Sequence, residues 1–159
     1  SPSNVKFIEV QTGREMYKAV LDELPADVAV FVAAVGDWYV GEVAEQKIKK
    51  NNGSPPSLKF LENPDILHEV SNLREKRPSL VIGFAAETSD LIKNAEIKLN
   101  KKNCDWIIAN DVSTATGIMG GDQNKISLIS ENQKEDWPLM SKTLVATKLA
   151  AKICESLGV

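Results

Sequence analysis

Cysteine and histidine are scarce in this 159-residue chain, which limits the chemistry open to it. Cys104 and Cys154 are too few for a disulfide framework, and neither has the close cysteine or histidine neighbours of a zinc site. Since His68 is the single histidine, the sequence does not favour a serine–histidine or cysteine–histidine catalytic arrangement. The composition predicts a reducing, cytoplasmic compartment and restricts any metal to a hard ion held by carboxylates and phosphates.

Long apolar runs and an excess of positive charge are also missing. No apolar stretch approaches the roughly 20 residues that span a bilayer, and residues 1–4 lack the charged and apolar regions of a signal peptide. The net charge is −3, from 19 basic and 22 acidic side chains. Nucleic-acid binding draws on many Lys and Arg contacts to phosphate, so we expect neither a membrane nor a nucleic acid as partner.

The residues that are present are typical of one α/β domain over residues 1–159, with 43% hydrophobic and 26% charged residues. Apolar runs alternate with helical periodicity, which predicts a three-layer, Rossmann-like (ribokinase-like) fold: a mostly parallel sheet with helices on both faces. The predicted strands are 5–10, 28–34, 79–86, 105–109 and 125–130, the last at a sheet edge. The predicted helices are 14–24, 63–74, 89–102 and 141–157, with long loops at 36–57 and 111–124.

Ligands of such sheets bind beyond the carboxyl ends of the strands, which selects the loops after Ala34, Ala86 and Ala109. The first loop lies in the motif Ala33-Ala34-Val35-Gly36-Asp37-Trp38. Its small residues let a base or a ribose approach the backbone, and the Asp37 carboxylate can accept a ribose hydroxyl or hold Mg²⁺. A tight turn with a solvated Asp37 explains the same pattern equally well.

Two groups of lysines and one helix start are candidate phosphate contacts. Lys47 to Lys50 lie on a loop that can close over phosphates, although a solvated charge run explains them as well. Asn63-Pro64-Asp65-Ile66 predicts a helix start with asparagine as N-cap, where free amides bind anions or simply cap the helix. Lys98, Lys101 and Lys102 share one helix face, and either an anionic ligand or the helix dipole accounts for them.

Six short motifs together resemble phosphopantothenoylcysteine synthetase, a family that usually forms the C-terminal half of the bifunctional coenzyme A biosynthesis flavoprotein. The motifs are Ala33-Ala34-Val35-Gly36-Asp37-Trp38, Lys47-Ile48-Lys49-Lys50, Asn63-Pro64-Asp65-Ile66, Gly83-Phe84-Ala85-Ala86-Glu87-Thr88, Lys98-Leu99-Asn100-Lys101-Lys102 and Ala109-Asn110-Asp111-Val112-Ser113. The resemblance implies a ligase that joins 4′-phosphopantothenate to cysteine. CTP would convert the carboxylate into an acyl-cytidylate with release of pyrophosphate, and the cysteine amine would then displace CMP.

The resemblance further implies a site for CTP and Mg²⁺, in which Asp37, Lys47 and Lys98 are the catalytic residues and Asp37 holds the metal. Its nucleotide contacts would be the backbone of Phe31, Val32 and Ala33 at the cytosine, Phe84 beside the nucleotide, and Lys47, Asn63, Pro64, Asp65, Ile66, Lys98 and Lys102 at the phosphates. The alternative is a CTP-binding or dimerisation module without turnover of its own.

The resemblance also implies partners and one departure from the family pattern. We expect a homodimer with the strand around residues 28–34 near its two-fold axis, and a fused or associated flavin-dependent decarboxylase. Family members begin with a strand and a Gly/Ser/Asn-rich loop before the segment that opens here at Ser1-Pro2-Ser3-Asn4. We therefore expect this chain to lack its first strand, and to bind CTP with little turnover alone. Gly36, where many relatives have alanine, and Ile118-Met119 in a predicted flap at Gly117 to Asp122 are expected to be tolerated.

Overall fold

The computed structural model describes residues 4–41, 57–87, 90–112 and 121–159. The helices are α1 (Gly13–Asp22), α2 (Ile66–Ser71), α3 (Leu91–Lys102) and α4 (Lys142–Leu157). The strands are β1 (Val28–Phe31), β2 (Trp38–Val40), β3 (Phe60–Glu62), β4 (Leu80–Glu87), β5 (Trp106–Asp111), β6 (Gln123–Asn124), β7 (Ile126–Ser130), β8 (Lys134–Asp136) and β9 (Met140–Ser141).

A five-stranded sheet in the order β1-β4-β5-β7-β8 forms the middle layer. β1, β4 and β5 are parallel, whereas β7 and β8 are antiparallel to their neighbours. Two small antiparallel ribbons, β2–β3 and β6–β9, lie outside this sheet. The prediction of a mostly parallel sheet is confirmed for the strands that carry the candidate motifs.

Helices cover both faces of the sheet because its inner strands are apolar on both sides. From β4, Val81 and Ala85 pack with α1, α2 and α3 on one face, while Leu80 and Ile82 pack with α4 on the other. Continuous apolar strands are typical of parallel sheets buried between helices. The three-layer α/β prediction is therefore confirmed.

Several predicted element boundaries are wrong. Residues 5–10 form no strand, and the described residues include no strand that pairs with them. The strand at residues 126–130 is not at an edge, because β8 pairs with its outer side. The predicted loop at 36–57 contains β2, and its residues 42–56 lie outside the described part of the chain.

Local capping signals were more reliable, with one exception. Asn103 ends α3 in the left-handed conformation at φ 58°, and the Ser141 side chain caps α4 by accepting from the Leu144 amide, as predicted. The exception is α2, which begins at Ile66 and not at Pro64. Its N-cap is Asp65, because the carboxylate of Asp65 accepts the amide of residue 68.

The outer edge of β1 is uncovered in the part of the chain that the structure describes. β4 pairs with one side of β1, and a groove of about 340 Å³ lies along the other. Its lining is mainly apolar and includes Ile8, Val10, Val20 and the strand itself. Val32, just beyond the strand, is 63% exposed. An unpaired, apolar edge of this kind is a surface on which a further strand can add.

Candidate functional site

β1 and β4 separate at their carboxyl ends, and the region between these ends is the candidate crevice. Their ladder runs from Val28–Leu80 to Phe31–Gly83, yet β4 continues for four more residues, paired only with β5 among the described strands. The chain after Phe31 therefore leaves the sheet beside the carboxyl-terminal half of β4. This is the position at which open α/β sheets bind their ligands.

Lys98 lies at this crevice. It projects from α3, and its Nζ donates a hydrogen bond to the backbone oxygen of Phe84 over 3.1 Å. Phe84 is the first residue of β4 beyond the ladder with β1. Because an ammonium group has three donors, this bond leaves Lys98 able to bind an anion while it is anchored to the strand.

Lys102, one turn further along α3, forms an ion pair with Asp65. The Lys102 side chain is 18% exposed and that of Asp65 is 43% exposed, so water screens the pair only partly. Partial burial by itself raises the pKa of Asp65, but the hydrogen bond and charge of Lys102 and the amide of His68 outweigh it and lower that pKa below its ordinary value. A phosphate can reach Lys102 only in competition with Asp65.

Asn63 connects the loop after β1 to the start of α2. Its Nδ2 donates to the Gly36 oxygen over 2.8 Å, and its backbone N–H donates to the Asp37 oxygen, also over 2.8 Å. Asn63 therefore holds the Gly36–Asp37 turn and does not cap the helix, so the predicted N-cap role is wrong. The two hydrogen bonds place the predicted ribose or metal ligand, Asp37, next to the predicted phosphate site.

Close backbone approach holds α2 against the sheet. A Cβ atom at Gly83 would lie 2.5 Å from the Leu67 Cδ2 and 3.1 Å from the Ile107 Cδ1. Contacts under 3.0 Å require something to move, so glycine lets α2 pack this closely on β4 with Leu67 in its present rotamer. The glycine thereby places Asp65, and with it Lys102, beside the crevice.

The predicted nucleoside contacts lie along the two strands that border the crevice. Val32 and Ala33 are exposed, whereas Phe31 packs partly into the core formed with α1, α2 and α3. Phe84 is half-buried against the core on the α4 face. The structure thus brings these residues together at one end of the sheet, and their contacts with a nucleotide remain predictions.

The remaining predicted site residues have different surroundings. Ile66 is 6% exposed and Pro64 is half-buried, so their side chains are not on the surface. Asp37 is exposed, and the described residues contain no cluster of three or more His, Cys, Asp or Glu that could hold a metal ion. Lys47 and residues 117–120 of the predicted flap lie outside the described residues.

Sequence reasoning missed two features of this site. The partners Asp65 and Lys102 are 37 residues apart, so no local pattern indicates their ion pair. Arg14, at the start of α1, lies over the ring of Tyr39 at 4.1 Å from its centroid. Gly13, the residue before Arg14, packs against the loop after β1. A Cβ atom at Gly13 would lie 2.8 Å from the Val35 Cγ1. The position of α1 could not be predicted from its own sequence.

A mostly parallel sheet between helical layers, with a lysine-lined crevice at the carboxyl ends of its strands, defines a Rossmann-like α/β protein. In the described segments, no helix is both long and apolar enough to cross a bilayer. Residues 1–157 match the family described as "DNA/pantothenate metabolism flavoprotein C-terminal domain". The chain belongs to this family.

Relatives and solved structures agree with this assignment. The coenzyme A biosynthesis bifunctional protein CoaBC of Haemophilus influenzae is 40% identical over 98% of this chain. The protein of the same name from Escherichia coli is 36% identical over 96% of this chain. This chain covers 38% of the length of each. A crystal structure of the C-terminal domain of a protein of that name superimposes with a TM-score of 0.76 at 28% identity, covering 99% of this chain and 70% of that one. A Streptococcus pneumoniae flavoprotein structure, at 20% identity and a TM-score of 0.76, shares the fold.

The chain spans about two fifths of the length of the curated relatives that it matches. Those relatives are named as bifunctional proteins. The matched part corresponds to their C-terminal domain by both the family description and the crystal structure.

Proposed function

We propose that this chain is the ligase domain that joins 4′-phosphopantothenate to cysteine in coenzyme A biosynthesis, with CTP as the activating nucleotide. The observation that carries the proposal is the crevice between β1 and β4 with Lys98 anchored at its side, in a chain that belongs to this family. The relatives are named for coenzyme A biosynthesis, and their name indicates the pathway that we propose.

The crevice suits a nucleoside triphosphate that lies across the ends of β1 and β4. The exposed backbone at Val32 and Ala33 and the ring of Phe84 would border the cytosine. Lys98, the start of α2 and Lys47 would contact the phosphates, with Lys102 available once phosphate displaces it from Asp65. These contacts are positional and electrostatic, which is what phosphate chemistry requires of a protein without a nucleophile.

Asp37 is the proposed ligand of Mg²⁺. Its carboxylate is exposed next to the turn that Asn63 holds, and Mg²⁺ is usually bound through one or two carboxylates together with substrate phosphates. A bound Mg²⁺ would neutralise phosphate charge. The contribution of the chain is to hold the Asp37 oxygen near the phosphate end of the crevice.

The chemistry follows from this placement. The pantothenate carboxylate attacks the α-phosphorus of CTP, the bond to the β-phosphate oxygen breaks, and pyrophosphate leaves. The cysteine amine then attacks the acyl carbon and loses a proton to solvent, and CMP leaves with the electrons of the acyl–oxygen bond. Both steps depend on alignment of the reacting atoms, and misplacement by about 1 Å can cost a hundredfold in rate.

A binding or dimerisation module without turnover is the second candidate, and the uncovered edge of β1 is the observation that favours it. The groove along this edge supports the prediction that a further strand completes the sheet. Because residues 32–36 leave the sheet at this edge, a strand added there would border the crevice. A homodimer with β1 near its axis, and an associated flavin-dependent decarboxylase, are the partners that we propose.

The test is release of pyrophosphate and CMP from CTP. In the complete enzyme, with the family's first strand and Gly/Ser/Asn-rich loop present, we expect pyrophosphate release to require phosphopantothenate, CMP release to require cysteine as well, and Asp37→Asn to abolish both. This chain alone should bind CTP with little turnover. Asp27→Asn is the matched control, because Asp27 is also exposed but precedes β1, at the other end of the strand. CTP binding without acid-dependent pyrophosphate release would favour the module without turnover.

A further inference from the structure

Asn110 holds a buried oxygen that no group of the chain satisfies in the part that the structure describes. The residue lies near the carboxyl end of β5, in register with Ala86 on β4 and Ile126 on β7. Its Oδ1 is buried and accepts no hydrogen bond. Roughly nine in ten buried polar groups in proteins have a partner, so an unpaired side-chain oxygen at a ligand-binding edge requires an explanation.

The alternation of the strands places Asn110 on the same face of the sheet as Phe84. Ile108 and Phe84 are neighbours in register and both contribute to the core beside α4. Two residues further along, Asn110 and Ala86 continue this face, since side chains alternate with a period of two. Ala86 is small and exposed, so the described residues leave this face of the sheet uncovered at Ala86.

The spacing suits one pyrimidine ring. Asn110 lies on the strand next to Phe84 and two residues further along it. This offset corresponds to about 8 Å between the two Cα atoms. A ring that packs on the Phe84 side chain and lies over Ala86 would present its edge to the Asn110 amide. Val32, just beyond the end of β1 on the other side of β4, is 63% exposed.

The unpaired atom is an acceptor, which determines what it can bind. Phosphate and carboxylate oxygens are acceptors themselves, so they cannot satisfy it. The exocyclic 4-amino group of cytosine is a donor, whereas uracil has a carbonyl oxygen at that position. An amide held with its oxygen toward the base edge selects a donor over an acceptor there, and a reversed amide would present its NH2 group instead.

We propose that the Asn110 Oδ1 accepts a hydrogen bond from the 4-amino group of the nucleotide base and thereby selects CTP over UTP. This inference rests on the proposed use of a pyrimidine nucleotide, and it adds a specificity residue that faces the base from β5. With UTP, the uracil oxygen would oppose the Asn110 oxygen, and a buried pair of unsatisfied acceptors is strongly disfavoured.

The experiment compares the binding of CTP and UTP by calorimetry, together with kcat/KM for pyrophosphate release. For Asn110→Ala we expect the preference for CTP over UTP to fall about tenfold or more, because CTP loses its hydrogen bond and UTP no longer faces an opposing oxygen. Asn110→Asp retains the acceptor and should retain the preference. Asn100→Ala, an exposed asparagine on α3, is the control and should leave both nucleotides unaffected.

A second measurement needs no variant and therefore does not depend on folding of Asn110→Ala. The unaltered protein should bind a pyrimidinone ribonucleoside triphosphate, which lacks only the 4-amino group, about tenfold more weakly than CTP. Equal binding of these two nucleotides, or an unchanged preference in Asn110→Ala, would overturn the inference while leaving the ligase proposal intact. Loss of acid-dependent pyrophosphate release with every nucleotide would instead overturn the ligase proposal.

Discussion

Asp65 and Lys102 join the start of α2 to the last turn of α3 by an ion pair beside the candidate site. Asp65 also caps α2, through the His68 amide. One carboxylate therefore begins a helix, neutralises a lysine and connects two helices that pack on the same face of the sheet. The pair restrains Lys102 in the absence of a nucleotide, at a position where a free ammonium group would otherwise remain mobile.

The ion pair predicts a contribution to stability that depends on pH. Since the folded pKa of Asp65 is lowered, the contribution is present above the unfolded pKa of about 3.9 and is lost as the pH falls through the folded pKa. Asp65→Asn should lower the free energy of unfolding at pH 7 by about 0.5–1 kcal/mol, because asparagine is also a good N-cap and the pair is partly screened. Urea unfolding at pH 7 and pH 3 would measure this.

The control for this prediction is Asp22→Asn, which removes the exposed i,i+4 pair with Lys18. We expect a smaller effect there, because both side chains are more than half exposed. An equal loss in both variants, or no difference between the two pH values for Asp65→Asn, would contradict the role assigned to the Asp65–Lys102 pair.

Gly83→Ala should alter the packing of α2 on β4 and thereby disturb the candidate site. The added Cβ would lie 2.5 Å from the Leu67 side chain, so α2 must shift or Leu67 must change rotamer. Overpacking of this kind costs about 1–3 kcal/mol of folding free energy, and the shift of α2 should also weaken CTP binding. Thermal unfolding and calorimetry report the two effects separately.

Gly36→Ala is the matched control for this glycine. The nearest atom to an added Cβ at Gly36 is the Trp38 backbone oxygen at 3.9 Å, an ordinary contact. We expect stability and CTP affinity close to those of the parent, in line with the alanine that the family resemblance implies at this position. A strong defect in Gly36→Ala alone would show that the close contact at Gly83 does not determine the position of α2.

Lys98→Gln should weaken CTP binding and reduce its dependence on salt. A charge-assisted hydrogen bond to phosphate typically contributes about 1.5–3 kcal/mol, and the interaction of charges is screened by added salt. Calorimetry at low and high ionic strength measures both quantities. Lys47→Gln should also weaken binding, as the resemblance to the family implies for that position.

Lys101→Gln is the control for Lys98→Gln. Lys101 is exposed on the same helix and changes the net charge equally, but its side chain has no contact with β4 like that of Lys98. If Lys98→Gln and Lys101→Gln reduce CTP affinity to the same extent, the effect is one of general charge and Lys98 is not a specific phosphate ligand.

The two cysteines should differ in reactivity. Burial raises the pKa of Cys104 to about 11, so almost none of it is thiolate at pH 8, whereas Cys154 is exposed on α4. Titration of the folded protein with a thiol reagent at pH 8 should modify one cysteine rapidly, and denaturation should release the second. Rapid modification of Cys104, located by mass spectrometry, would contradict its burial.

Features that depend on neighbouring residues could be read from the sequence. The apolar runs at β1, β4 and β5 predicted parallel strands between helices, and Asn103 and Ser141 predicted helix ends, because capping involves groups within a few residues. The order of motifs along the chain likewise indicated which strand ends carry the candidate site. The strands and the helix ends follow from local geometry and burial, and the structure confirmed them, whereas the location of the site at these strand ends stays a prediction.

Features that depend on distant partners were decided only by the tertiary structure. Residues 5–10 have the composition of a strand, but a strand requires a ladder partner, and none pairs with them in the described part of the chain. Asn63 resembles an N-cap, yet its side chain bonds to Gly36, 27 residues away. The Asp65–Lys102 pair and the unpaired oxygen of Asn110 arise in the same way, because packing of strands and helices brings together groups whose spacing in the sequence carries no signal.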